Sequence, residues 1–243
     1  MLNVLCVKIG TKYSSVLVNR LYKMCKKNIT QPFKFFCYTE NAEGIDAVVN
    51  IIPFVDHGLD VIMHNKLFLF SEHIDSYLTN GDRMYFDLDM IIKGNIDDIV
   101  ACNKGELTLI RSDWRKEKRH NFYKRDHMFN SSCMTWKSPH TRRIWEHFVG
   151  DIEWFSFQYS WGMDSFLSYE KENIGTQIHF FPSRKFYSYL YGIDYAEETW
   201  SDETYGMPFT LKFPKSIESI PVVLLNGDTT ESDYRRFKQY YED

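Results

Sequence analysis

Met84-Tyr85-Phe86-Asp87-Leu88-Asp89-Met90-Ile91-Ile92 sets the reading of the whole chain. An apolar, aromatic run drives into one aspartate, a single leucine, a second aspartate and more apolar chain. Runs this hydrophobic are usually strands buried on both faces of a sheet. A buried carboxylate is costly unless a cation meets it. Two of them at the end of such a strand therefore ask for a cationic partner. On an ideal strand, positions two apart project to one face. A local turn would let Asp87 and Asp89 reach one hard, oxygen-seeking ion such as Mn²⁺ or Mg²⁺. Turn or cap aspartates are the plain alternative, because an isolated Asp-x-Asp is common.

Upstream of this stretch, Leu2 to Ile9 reads as a buried opening strand, broken by Gly10-Thr11-Lys12-Tyr13. Val18, Leu21, Tyr22 and Cys25 fall at the i, i+3, i+4, i+7 spacing of a helix. Phe33 to Thr39 and Ala47 to Ile52 follow as strands. A helix is expected from His64 to Leu78, with Leu67, Phe70, Ile74, Tyr77 and Leu78 on one face. This strand–helix–strand opening predicts an α/β chain, in which ligands bind beyond the carboxyl ends of the strands. Gly10 to Tyr13 stands at such an end, as do Asp87 and Asp89.

Downstream, Glu106 to Arg111 reads as a strand. Trp114 to Arg125 carries six basic residues and is either a solvated face or a flap over an anionic ligand. Asn130 to Trp136 is a strand entered from a polar turn. Ser138-Pro139 is a helix start, followed by Thr141, Ile144, Trp145 and Phe148 along one side. The aromatic run Trp154, Phe155, Phe157, Tyr159, Trp161 leads into Gly162-Met163-Asp164. Trp154 and Trp161 are expected in the core, with a wall for a bound sugar as the alternative. Val222 to Leu225 is a last buried strand that ends in Asn226-Gly227-Asp228. Tyr234, Phe237, Lys238 and Tyr241 close the chain at helical spacing.

The chain has 243 residues, of which 44% are hydrophobic and 17% aromatic, enough for one large core. A net charge of −4 gives no general case for nucleic acid or an anionic membrane as partner. No run approaches the length of a transmembrane segment, and no signal-peptide pattern opens the chain. Five dispersed cysteines without a Cys-x-x-Cys pair predict reduced thiols in a cytoplasmic setting and no zinc site.

The ordered set of motifs resembles the metal-dependent GT-A glycosyltransferases, and most closely the glycosyltransferase family 8 and glycogenin-like group. The residues that carry the resemblance run through nearly the whole chain. They are Gly10-Thr11-Lys12-Tyr13, Asn65-Lys66-Leu67, Asp82 to Asp89 and Gly94 to Asp98, then Phe129 to Met134, Gly162-Met163-Asp164 and Asn226-Gly227. Each is weak alone; their order and spacing together are specific.

The resemblance implies an α/β, GT-A-like single domain over residues 1–243, with a mixed, mostly parallel central sheet flanked by helices. Its nucleotide-binding half would cover about residues 1–100 and its acceptor-side half about 101–243. It implies a nucleoside diphosphate sugar, with UDP favoured, as donor and a sugar or glycan as acceptor. Gly10, Thr11 and Tyr13 would meet the nucleotide, with Tyr13 on the base, and Leu88 would sit near the ribose through its backbone. Lys66 would reach the donor. Asp87 and Asp89 would hold Mn²⁺ or Mg²⁺ against the diphosphate, with Asn226 as a third metal ligand where the family has histidine. Asn130 and Ser131 would line the donor sugar, and Asp164 would bond its hydroxyls. Ser165 stands where the family usually has glutamine, and no lysine directly follows Gly227. Two other readings of the residues stay open. One is a haloacid-dehalogenase-type phosphohydrolase, with Asp87 as nucleophile. The other is a catalytically silent domain that binds a nucleotide sugar or glycan.

Overall fold

The computed structural model describes residues 1–59, 62–112, 129–137, 139–182, 185–189, 199–201, 210–212, 220–225 and 234–242. The basic stretch Trp114 to Arg125, Ser138 and Asn226-Gly227-Asp228 lie outside them.

The opening is strand, helix, strand as the spacing predicts: β1 (Leu2–Lys8), α1 (Ser15–Asn28), β2 (Phe33–Thr39) and β3 (Asn50–Pro53). Val18, Leu21 and Cys25 are fully buried along α1. The Met84 to Ile92 stretch divides into β4 (Arg83–Phe86) and β5 (Met90–Ile92), which belong to different sheets. The chain therefore bends at Asp87-Leu88-Asp89. Next come α2 (Glu72–Asp75), which precedes β4, and α3 (Asp97–Val100), β6 (Leu107–Arg111) and β7 (Phe129–Trp136), which follow β5. Then α4 (Arg142–Gly150), α5 (Ile152–Gln158), α6 (Met163–Tyr169), β8 (Ile178–Phe180), β9 (Phe186–Ser188) and β12 (Val222–Leu224) complete the fold, with a β10 (Thr199–Ser201) and β11 (Thr210–Lys212) hairpin between the last two strands.

The main sheet has seven strands in the order β3-β2-β1-β4-β7-β6-β8, with β4 at its centre. Only β7 runs against its neighbours; the β1, β2, β3, β4 pairings and the β6–β8 pairing are parallel. A smaller sheet, β5-β12-β9, stands apart.

The period-2 alternation of the strands divides the interior in two. Val4, Cys6, Phe35, Cys37, Met84 and Phe86 face a core shared with α1, the small sheet and the C-terminal Tyr234, Phe237 and Tyr241. Leu5, Phe36, Tyr38 and Tyr85 face a second core shared with α4, α5 and α6. Thr141, Ile144, Trp145 and Phe148 are buried there, as their spacing predicts. The helix that carries Ile144, Trp145 and Phe148 begins at Arg142, directly after Thr141 and a turn in which the Arg142 amide donates to the Pro139 carbonyl (3.0 Å), and not at Pro139.

The expected helix from His64 to Leu78 is instead a 3₁₀ helix over Ile62–Phe70 followed by α2. Ser71 divides them: its backbone is extended, and its hydroxyl accepts from the Ile74 amide as an N-cap. Leu67, Phe68, Leu69 and Phe70 are all buried, so this segment is apolar on every side and no single stripe forces a 3.6-residue period.

Candidate functional site

The carboxyl ends of β1 and β4 and the amino end of the antiparallel β7 meet on one edge of the main sheet. The Asp87 amide donates to the Ser132 carbonyl (2.8 Å), so β7 is stitched to β4 where β4 ends.

Asp87 is served from the α4–α6 side of the sheet. Its Oδ1 accepts the Tyr85 hydroxyl and lies 2.5 Å from the Lys66 ammonium. The same ammonium stands 5.2 Å from the centre of the Tyr85 ring. Lys66 is held there by the 3₁₀ helix. Within it, the Asn65 side-chain Nδ2 donates to the Ile62 carbonyl (3.2 Å), and the His64 ring lies 3.0 Å from the Tyr159 carbonyl. Burial lowers the His64 pKa, so the neutral ring donates through Nε2.

Asp89 is served from the other side. Its Oδ2 accepts the Tyr13 hydroxyl (3.2 Å), and its carbonyl accepts the Leu225 amide (3.0 Å) at the end of β12. Asp89 is 8% exposed. Burial and then repulsion from Asp87 raise its pKa from 3.8 to about 6, against opposing pulls from Lys66, Tyr13 and Lys12. Burial, followed by the charges of Asp89 and Asp87, pushes the Tyr13 phenol far above its ordinary value. Asp89 is thus a carboxylate short of positive charge.

The remaining expected residues converge on the same edge. Gly10 follows β1 with φ +70°, and its amide donates to the Glu40 carboxylate (2.7 Å). Thr11 follows it on the exposed rim. Leu88 is buried between the two aspartates. Asn130 and Ser131 are buried at the start of β7, where Asn130 Oδ1 accepts from the Ser132 amide (3.2 Å). Asp164, in the first turn of α6, accepts the Ser131 amide at 2.9 Å. Gly162 makes this possible. Its φ of +102° disfavours any side chain, and a Cβ there would lie 3.0 Å from Met63.

Asn226 falls outside the described residues, but its predecessor Leu225 is the residue bonded to Asp89. Two site residues escaped the sequence reading. Tyr85 shares strand parity with Asp87, a signal that was present. Lys12, 5.1 Å from the centre of the Tyr13 ring and close enough to stabilise the Asp89 charge, had none beyond its neighbourhood.

Among the described residues, no group of three or more His, Cys, Asp and Glu stands together to hold a metal by itself. Asp87 and Asp89 are the carboxylates here whose chemistry suits a hard divalent ion, a ligand's phosphate oxygens being suited to complete its shell.

No family model and no curated protein matches the chain in sequence. In three dimensions it is similar to the galactosyltransferase LgtC in complex with donor and acceptor sugar analogues (TM-score 0.61, 12% identity, covering 98% of this chain and 95% of that one). An active-site mutant of LgtC gives the same picture (TM-score 0.60, 13% identity, 98% and 94% covered). So does the glycosyltransferase GlyE of Streptococcus pneumoniae TIGR4 (TM-score 0.61, 13% identity), where 99% of this chain spans 61% of the other. The chain has the GT-A glycosyltransferase fold, with the mixed, mostly parallel, helix-flanked sheet that the sequence predicts.

Proposed function

We propose that this protein is a glycosyltransferase that uses Mn²⁺ or Mg²⁺ to move a hexose from a nucleoside diphosphate sugar, with UDP favoured, to a sugar or glycan acceptor. The observation that carries the reading is the carboxylate pair Asp87 and Asp89 where the central strand ends, on a fold shared with LgtC and GlyE.

Breaking the sugar–diphosphate bond builds negative charge on the leaving phosphate, and a divalent ion held by Asp87 and Asp89, with Asn226, supplies Lewis-acid stabilisation when bound. Lys66 adds a second positive charge on the same side. Tyr13, whose hydroxyl is tied to Asp89, offers its ring to the base, with Gly10 and Thr11 beside it and the Leu88 backbone near the ribose. Asn130 and Ser131 line the sugar. Asp164 accepts sugar hydroxyls and supports the positive charge that grows on the sugar carbon. On this reading the nucleotide is bound by about residues 1–100 and the acceptor by about 101–243 of one domain.

A phosphohydrolase with Asp87 as nucleophile is less well supported. Asp87 Oδ1 already carries both the Tyr85 hydroxyl and Lys66, which lower its nucleophilicity. A cytoplasmic setting agrees with five unpaired cysteines. No helix among the described residues is long and apolar enough to cross a membrane.

The test is nucleoside diphosphate release from a panel of nucleotide sugars, with and without Mn²⁺. Metal-dependent release, lost in Asp87→Ala and Asp89→Ala, is expected. Inorganic phosphate released from small phosphoesters would point to the phosphohydrolase, and metal-dependent binding without turnover to a silent domain.

A further inference from the structure

The core expectation for Trp154 and Trp161 is overturned. Phe155 and Tyr159 point inward at 5% and 6% exposure, while Trp154, Phe157 and Trp161 are 47%, 83% and 66% exposed. Trp154 and Phe157 lie one turn apart on α5, and Trp161 follows three residues after its end, so the exposed rings form a stripe along the chain that leads to Gly162. Of the described residues, the only other strongly exposed aromatic is Tyr77. Trp154 is not loose: it packs edge-on against Phe155 (4.9 Å) and Tyr159 (6.1 Å), which fixes its plane.

The stripe runs into the candidate site. Trp161 is followed by Gly162, then by Asp164 bonded to Ser131. Met63, half-exposed, touches Gly162, and Ile62, also exposed, approaches Gly10 at the end of β1. An apolar rim therefore connects the donor edge to the three rings.

The local charge selects among occupants. Between His147 and Lys171 there is no cationic residue, while Asp151, Glu153 and Asp164 are all acidic. An anionic membrane surface or an anionic glycan calls for Lys and Arg beside the aromatics, and this segment carries none between Phe148 and Glu170. Rings that stack on apolar sugar faces, with carboxylates and Gln158 to accept and donate at hydroxyls, suit an uncharged carbohydrate. Three rings spread over eight residues also offer more face than one pyranose can cover.

We infer that Trp154, Phe157 and Trp161 form an acceptor platform for an uncharged glycan at least two sugar units long. The inference rests on the transferase reading for the word acceptor, but binding to the platform does not require turnover. The experiment is titration of neutral mono- and oligosaccharides into wild-type protein, Trp161→Ala and Trp154→Ala/Phe157→Ala by NMR. Acceptor KM and acceptor-free nucleoside diphosphate release are measured alongside. All three positions are exposed, and circular dichroism confirms that each variant is folded.

The expected result is oligosaccharide binding tighter than monosaccharide binding, weakened about 3- to 10-fold for each ring removed. Acceptor-free release should be unchanged, and Trp161→Phe should bind nearly as wild type. Equal oligosaccharide affinity in all proteins, or loss of binding to phosphatidylserine vesicles instead, overturns the platform. A wild type that binds glycan through these rings yet releases no nucleoside diphosphate retains the platform and removes the transferase reading.

Discussion

Replacing Asp89 by Asn tests the electrostatics of the site without any ligand. The carboxylate is buried, faces Asp87, and has its pKa raised from 3.8 to about 6. A group whose folded-state acid is weaker than its unfolded one costs stability as pH rises between the two values. Here that window runs from about pH 4 to about pH 6, and the loss is complete above it. Two pH units at about 1.4 kcal/mol each set an upper bound near 3 kcal/mol. Asn keeps the shape, can accept the Tyr13 hydroxyl bond, and removes the charge. Metal-free Asp89→Asn should therefore be more stable than wild type by about 2–3 kcal/mol at pH 7.5, with the gain vanishing near pH 4. For a chain of this size that is roughly 4–12 °C in Tm. Urea denaturation in EDTA from pH 4 to pH 8, followed by tryptophan fluorescence, measures it. Asp87→Asn should do the reverse, because it leaves the Lys66 ammonium without its counter-charge. Identical pH profiles for wild type and Asp89→Asn, or a less stable Asp89→Asn at pH 7.5, would refute the reasoning.

Lys66→Ala should weaken donor affinity by about 1.5–3 kcal/mol, the range of a charge-assisted hydrogen bond, as read by calorimetry with the nucleotide sugar; no change would return Lys66 to a purely structural ion pair with Asp87. Gly162→Ala should cost on the order of 1–3 kcal/mol, since φ +102° and Met63 both oppose a Cβ, and should lower turnover by displacing Asp164. His64 should titrate below the ordinary value of about 6.5 in NMR. Its buried neutral ring contributes stability that is present above that value and is lost as pH falls below it. Asn226→His should tighten Mn²⁺ binding without nucleotide, because an imidazole adds a nitrogen ligand; equal affinities would place residue 226 outside the coordination shell.

The fold was legible in the sequence because its strands announce themselves. Leu2 to Lys8, Phe33 to Thr39 and Arg83 to Phe86 are short, apolar and bounded by turns, and the structure pairs them side by side. The bend at Asp87-Leu88-Asp89 was legible for the same reason: two carboxylates cannot continue a strand buried on both faces. The segment from Ile62 to Asp75 was not. The consecutive burial of Leu67 to Phe70 erases the periodicity that distinguishes a 3₁₀ turn from an α-helix, and one serine cap decides the break. Trp154 and Trp161 were misplaced because composition places aromatics inside, while the i, i+4 pair Phe155 and Tyr159 already fills the inward face of α5. The convergence of Tyr13, Lys66, Asp87, Asp89, Asn130, Ser131 and Asp164 on one edge depends on β7 running antiparallel beside β4, which no local pattern states.

The most direct test of the central claim is calorimetric titration of UDP into wild type, Asp87→Ala and Asp89→Ala, each with EDTA and with Mn²⁺. The account predicts that Mn²⁺ strengthens UDP binding to wild type at least tenfold and that neither variant gains from the metal, while both remain folded by circular dichroism. UDP affinity that is the same with EDTA and with Mn²⁺ in wild type, or a metal response that survives in either variant, would contradict it.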